Sequence, residues 1–87
     1  MATVWIPAAL RPLTGGRATV SAPGGSIRDL IDNLEAAHPG LRARLLDGER
    51  LQPGLAVVVD GETSRLKLRQ PVKDDSEVHF VAARSGG

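Results

Sequence analysis

Residues 3–6, TVWI, are a β-branched and aromatic run stopped by Pro7, which predicts a strand. Alternation places Val4 and Ile6 on one face and Thr3 and Trp5 on the other. LRPLTGG (10–16) is rich in turn formers, and Gly15-Gly16 can supply the positive φ angles of a tight hairpin. RATVSA (17–22) predicts a second strand. After the break at PGGS (23–26), Ile27, Leu30, Ile31 and Leu34 recur at i, i+3, i+4 and i+7, the stripe of an amphipathic helix. Ser26 is a good N-cap. Asp29, three residues on, completes an imperfect capping box and favours the helix dipole. Pro39 ends this helix near His38. GLRARLL (40–46) predicts one short helical turn with Leu41, Leu45 and Leu46 facing inward.

The second half reads as strands. LAVVV (55–59) is continuously apolar and predicts a buried central strand. Asp60-Gly61 signals a two-residue hairpin. SRLKLR (64–69) alternates, and its charges suit an edge or half-exposed strand. KDDS (73–76) is a turn. EVHFVAA (77–83) is the last strand, with Val78, Phe80 and Ala82 on one face and His79 and Val81 on the other. The order β-β-α-β-β-β predicts an α+β fold, one main helix on a mixed sheet of about five strands. Residues 1–83 form a single domain, followed by a flexible tail, 84–87.

Composition narrows the function classes. Eighty-seven residues with 41% hydrophobic content fit one small globular domain. Eleven basic residues against ten acidic ones give no drive toward nucleic acid or anionic membranes. Trp5 and Phe80 are the only aromatic residues, too few for a base-stacking platform. With no cysteine, disulfides, thiolate nucleophiles and cysteine zinc sites are excluded. The start, MATVWIPAAL, lacks the basic n-region of a signal peptide, and no apolar run approaches the roughly 20 residues of a membrane span. A cytoplasmic protein is expected.

The catalytic inventory is nearly empty. Neither His38 nor His79 has a second ligand at metal spacing, so no metal and no bound cofactor is expected. His38 suits a helix C-terminus, and His79 suits an ordinary surface position. APGGSI (22–27) precedes a helix N-terminus, but a turn plus cap explains it. Asp74-Asp75 reads as a solvated turn. No phosphate loop, dinucleotide fingerprint or nucleophile elbow is present. Catalysis by the chain itself is therefore not expected.

The remaining feature is the ending, RSGG (84–87). Gly-Gly pairs at 15–16 and 24–25 fall in turns, whereas the last pair closes none. Without a Cβ, Gly86 and Gly87 can thread a narrow channel, led by Arg84 and Ser85, and deliver the carboxylate of Gly87 to another protein's active site. A carboxylate is a poor electrophile. Adenylation by ATP would activate it, and a sulfur donor could then leave a thiocarboxylate.

With this ending, the chain resembles the ubiquitin-like sulfur carriers of the ThiS/MoaD type. The likeness is carried by VWIPAALRPLTGG (4–16), SIRDLIDNLEAAHPGLRARLLD (26–47), VVVDGE (57–62) and DDSEVHFVAARSGG (74–87). It implies the β-grasp fold and no cofactor of the chain's own. It implies a ubiquitin-activating-type adenylating and sulfurating enzyme that uses Mg-ATP on Gly87. It also implies a sulfur-accepting synthase of the cysteine synthase, thiazole synthase or molybdopterin synthase kind. The opening looks closest to carriers that serve cysteine biosynthesis in actinobacteria; similar carriers feed thiosugar-type products. In this fold His79, Val81 and Trp5 would form a partner-docking face. Trp5 as plain core is an equal reading on its own residue type. Two departures stand out: Ser76 or Asp75 where the family often has glycine, and alanine at 82 or 83 where it often has proline. A modifier conjugated to lysines, and a plain β-grasp binding module, remain open alternatives.

Overall fold

The apolar stripe of the helix and the alternation of the first and last strands set the architecture. The computed structural model describes residues 1–82, so the domain boundary at 83 and the tail expected at 84–87 lie outside the described residues. The main sheet contains β1 (Ala2–Trp5), β2 (Thr19–Ala22), β5 (Leu55–Val59), β6 (Glu62–Thr63) and β7 (Glu77–Ala82), in the order β2-β1-β7-β5-β6. β1 and β7 run parallel at the centre, and the other pairs are antiparallel. α1 (Ile27–Ala37) packs across one face. This is the expected β-grasp arrangement.

α1 forms for the reasons its sequence gives. The Ser26 side chain accepts a hydrogen bond from the Asp29 N–H at 3.2 Å, and Asp29 occupies the first turn. Ile27, Leu30, Ile31 and Leu34 are all buried against Val4, Val20, Val57, Val78 and Phe80. Each such side chain contributes roughly 1.5–3 kcal/mol relative to exposure. The helix closes at His38, whose N–H bonds to the Leu34 carbonyl at 2.7 Å. From its last turn, Glu35 accepts hydrogen bonds from the N–H groups of Gly40 and Arg42, capping α2 (Leu41–Leu45).

Three sequence expectations are corrected. Residues 10–16 do not make a tight hairpin: Ala8–Thr14 is a 3-10 helix that tucks Leu10 and Leu13 against the core. Gly15 and Gly16 do take positive φ, 67° and 85°, but to leave that helix. Residues 64–69 are not a strand. The Ser64 hydroxyl accepts from the N–H groups of Leu66 and Lys67, which bends the chain into a short 3-10 helix, Lys67–Arg69. β5 is an interior strand, between β7 and β6, but it is not buried on both faces: only Val57 and Val59 are buried. Its other face, with Ala56 and Val58 half-buried, lies on the side of the sheet away from the helix. A small hairpin, β3 (Leu46–Asp47) with β4 (Arg50–Leu51), was not anticipated; Leu46 and Leu51 anchor it in the core.

Candidate docking face beside the chain terminus

The side of the sheet opposite α1 carries the predicted docking residues. Register lines up Thr19, Trp5, His79, Val58 and Thr63 in one row across all five strands. A second row pairs Val81 with Ala56. The alternation that buries Val4 and Val78 completely sends Trp5 and His79 outward. Their rings stack, with centroids 5.0 Å apart and planes 9° from parallel. Trp5 is 39% exposed and Val81 40%. The reading of Trp5 as core is thereby set aside.

Below this stack lies a shallow depression lined by Val58, Asp60, Gly61, Glu77, His79 and Val81. Asp60 is the residue sequence reasoning passed over, taking it only as half of a turn. Asp60 and Gly61 have φ of 51° and 87°, which fits the two-residue hairpin expected between β5 and β6. The Asp60 carboxylate then reaches across to accept from the Glu77 N–H and the Ser76 hydroxyl, both at 2.9 Å. The Glu77 N–H, then the Ser76 hydroxyl, and then the charge of Lys73 hold its carboxyl below the ordinary range. The departure at Ser76 from the glycine frequent in the resembled family has a local role. Ser76 is buried, and its oxygen also accepts from the Lys73 N–H at 2.9 Å. A serine immediately before β7 was the available signal.

The other candidates take the plain readings. At APGGSI the Ile27 N–H bonds to the Gln70 carbonyl and the Asp29 N–H to Ser26, so the helix start is already partnered. Gly24 is required by proximity: a Cβ there would lie 2.7 Å from the Leu30 nitrogen. Asp74 and Asp75 are exposed. His38 sits at the C-terminal end of α1. A cavity of about 750 Å³ lies between β4, the start of β5 and residues 63–68; its lining includes Leu51, Leu55, Leu66 and Leu68 with Arg50 and Lys67 but no histidine. Among the described residues, no three metal-ligating side chains gather, and no helix is long and apolar enough to cross a membrane. Arg84, Ser85, Gly86 and Gly87 lie outside the described residues.

What the described residues do fix is where the terminus begins. β7 carries His79 and Val81 and ends at Ala82, five residues before the last glycine. Five residues span at most about 17 Å.

Residues 4–87 match the ThiS family. The chain is 36% identical over 90 residues to the sulfur carrier protein CysO of Mycobacterium tuberculosis, covering 98% of this chain and 97% of that one. The crystal structure of that protein superposes with a TM-score of 0.88 at 34% identity, covering 97% of this chain and all of the other. A crystal structure of the BexX/CysO complex of Amycolatopsis orientalis gives a TM-score of 0.90 at 37% identity, with full coverage of both chains. Small archaeal modifier protein 1 of Haloferax volcanii gives 0.71 at 27% identity, covering 99% of this chain and 98% of that one.

Proposed function

This chain belongs to the ThiS family, and on that premise we propose that it is a sulfur carrier whose working atom is the carboxyl carbon of Gly87. The supporting observation is the extent of the family match, which runs through residue 87 and so includes Gly86-Gly87. The near-full-length similarity to a protein named as a sulfur carrier points the same way.

The chemistry divides between two proteins. A carboxylate oxygen of Gly87 attacks the α-phosphorus of Mg-ATP in an activating enzyme, and pyrophosphate leaves. A sulfur nucleophile then displaces AMP from the acyl carbon: hydrosulfide gives the thiocarboxylate directly, whereas a donor persulfide gives an acyl disulfide whose S–S bond is cleaved by a second thiol, which leaves with the donor as a disulfide. The thiocarboxylate gives up its sulfur to an accepting synthase. Among the acceptors the resemblance implies, the cysteine synthase-like kind is favoured by the CysO similarity. In this scheme the nucleotide and its magnesium are held by the partner, and the carrier is consumed and regenerated as a co-substrate.

The carrier contributes a tail of small residues and a surface for docking. Trp5, His79 and Val81 form that surface, because the tail continues from the strand that bears two of them. ATP–pyrophosphate exchange by the cognate activating enzyme tests the reading. Exchange should require the full chain and vanish when Gly87 is deleted; exchange that persists in the deletion contradicts it.

The similarity to a small archaeal modifier favours one second reading, conjugation of the activated Gly87 to lysine amines. Lysine-linked Gly-Gly remnants in host digests would support it.

A further inference from the structure

The β6 side of the main sheet is only half covered. β6 pairs with β5 through Val58–Thr63 and Val59–Glu62 alone. The Ser64 N–H still bonds to the Val57 carbonyl at 2.8 Å. The Ser64 hydroxyl then accepts from the Leu66 and Lys67 N–H groups and turns the chain off the sheet. The first half of β5 therefore has no strand beside it. The Val57 N–H points the same way as its carbonyl, toward the open side. Neither that N–H nor the Leu55 carbonyl has a backbone partner among the described residues. Val57 lines the cleft of about 750 Å³ between β4 and residues 63–68, and it is 1% exposed, which makes an unpaired donor there costly.

The walls of the cleft say what kind of segment fits. Leu66 is 47% exposed, with Leu55 and Leu68 half-buried in the same lining. Lys67 follows at φ 53°, a left-handed conformation uncommon outside glycine, so the turn that presents Leu66 is strained and is fastened by Ser64. Residues 64–69 hold Arg65, Lys67 and Arg69 and no carboxylate. These three cations are exposed, and none has an ion-pair partner among the described residues. Arg50 lines the cleft from β4, and its neighbour Glu49 is engaged by Arg28 at 3.4 Å.

We propose that this open edge is a second docking site, which takes an extended, acidic segment of a partner protein as an added strand. Its alternate apolar side chains lie against Leu55, Leu66 and Leu68, and its carboxylates meet Lys67, Arg65 and Arg50. Its backbone bonds to the Leu55 carbonyl and the Val57 N–H. The edge selects a peptide over an apolar ligand, because only a backbone serves a donor and an acceptor two residues apart. The unpaired cations select an acidic peptide over a basic one. An added strand lies two spacings, roughly 10 Å, from β7, whose Ala82 pairs with Leu55. A segment there leaves the Trp5–His79 stack uncovered, and the proposal stands apart from the carrier reading.

The probe is a blocked peptide, acetyl-Glu-Glu-Val-Thr-Val-Ile-Glu-Glu-amide, titrated into the isotope-labelled full-length chain and followed by amide resonances. The resonances of Leu55, Ala56, Val57, Leu66 and Lys67 should shift, and hydrogen exchange at the Val57 amide should slow. Replacing the peptide's glutamates by lysines should weaken binding by about tenfold or more. Methylating the peptide's central backbone nitrogens should remove the protection of Val57. Lys67→Glu should shift the preference toward the lysine peptide. Leu66→Ser should weaken binding by about tenfold at an unchanged melting temperature, because Leu66 is exposed. No shift at Leu55 to Val57 with millimolar peptide, equal binding of the two peptides, or shifts confined to Trp5, His79 and Val81 overturn the proposal. So does protection of Val57 that grows with protein concentration alone, which would put a second copy of the chain on the edge. Each of these outcomes leaves the pyrophosphate exchange that tests the carrier reading untouched.

Discussion

The Ser76 hydroxyl hydrogen-bonds to the carboxylate of Asp60 at 2.9 Å, tying the β5–β6 turn to the start of the strand that leads to the terminus. With the Glu77 N–H on the other carboxylate oxygen and a backbone bond from the Asp60 N–H to the Glu77 carbonyl, it fixes where β7 begins. Ser76 is almost fully buried, and Ser76→Ala leaves the Lys73 N–H without its acceptor and the Asp60 carboxylate without its donor. The expected loss is about 1–3 kcal/mol, read as a lower urea midpoint at unchanged slope. A midpoint equal to the wild type would remove the network from the account of stability.

Acid should unfold the domain through its hydrogen-bonded carboxylates. Asp60 is held below its ordinary range by the Glu77 N–H and the Ser76 hydroxyl, and Glu35 by the N–H groups of Arg42 and Gly40. A carboxyl whose folded pKa lies below its unfolded one stabilises the fold above the unfolded value. That contribution is lost as pH falls through the folded value. Stability should thus be level above about pH 5 and decline below it. Asp60→Asn and Glu35→Gln should each flatten the decline, as followed by urea midpoints at pH 3 to 6.

Gly24 and Gly25 separate proximity from mere turn composition. A Cβ at Gly24, where φ is 151°, meets the Leu30 nitrogen at 2.7 Å, whereas one at Gly25 meets nothing within 4 Å. Gly24→Ala should push the start of α1 away from β2 and destabilise by about 1–3 kcal/mol. Gly25→Ala should stay within about 0.5 kcal/mol of wild type. Thermal melts of the two variants decide the point, and equal melts contradict it.

The two terminal glycines should matter to activity and not to folding. Deleting Gly87 should abolish transfer, and Gly86→Ala should slow it by hindering passage of the tail through the partner's channel, with melting temperatures unchanged for both. A deletion that retains activity refutes the carrier and the modifier readings together.

Much of this was legible because local and tertiary demands agree. The α1 stripe, the Ser26 cap, the Asp60-Gly61 turn and the two faces of β7 each follow from residue type and period. The failures have physical causes. SRLKLR alternates like a strand, but the Ser64 hydroxyl captures two backbone N–H groups, and a side-chain bond of that kind leaves no trace in hydrophobic period. LAVVV reads as buried on both faces because all five residues are apolar, but Ala56 and Val58 are half-buried on the side of the sheet away from α1. Asp60 was invisible as a network residue because its partners lie 16 and 17 positions away in sequence. The outward side of Trp5 follows from the alternation of β1, but its stacking on His79 needed the register between β1 and β7, which periodicity within one strand cannot supply.

The central claim is that oxygen is exchanged for sulfur at the carboxyl carbon of Gly87. It is tested most directly by the intact mass of the full chain after incubation with its cognate activating enzyme, Mg-ATP and a sulfur source. The account predicts a gain equal to the difference between sulfur and oxygen, confined to the C-terminal fragment and absent from the chain lacking Gly87. An unmodified terminal carboxylate, under conditions where that enzyme sulfurates another carrier, would contradict it.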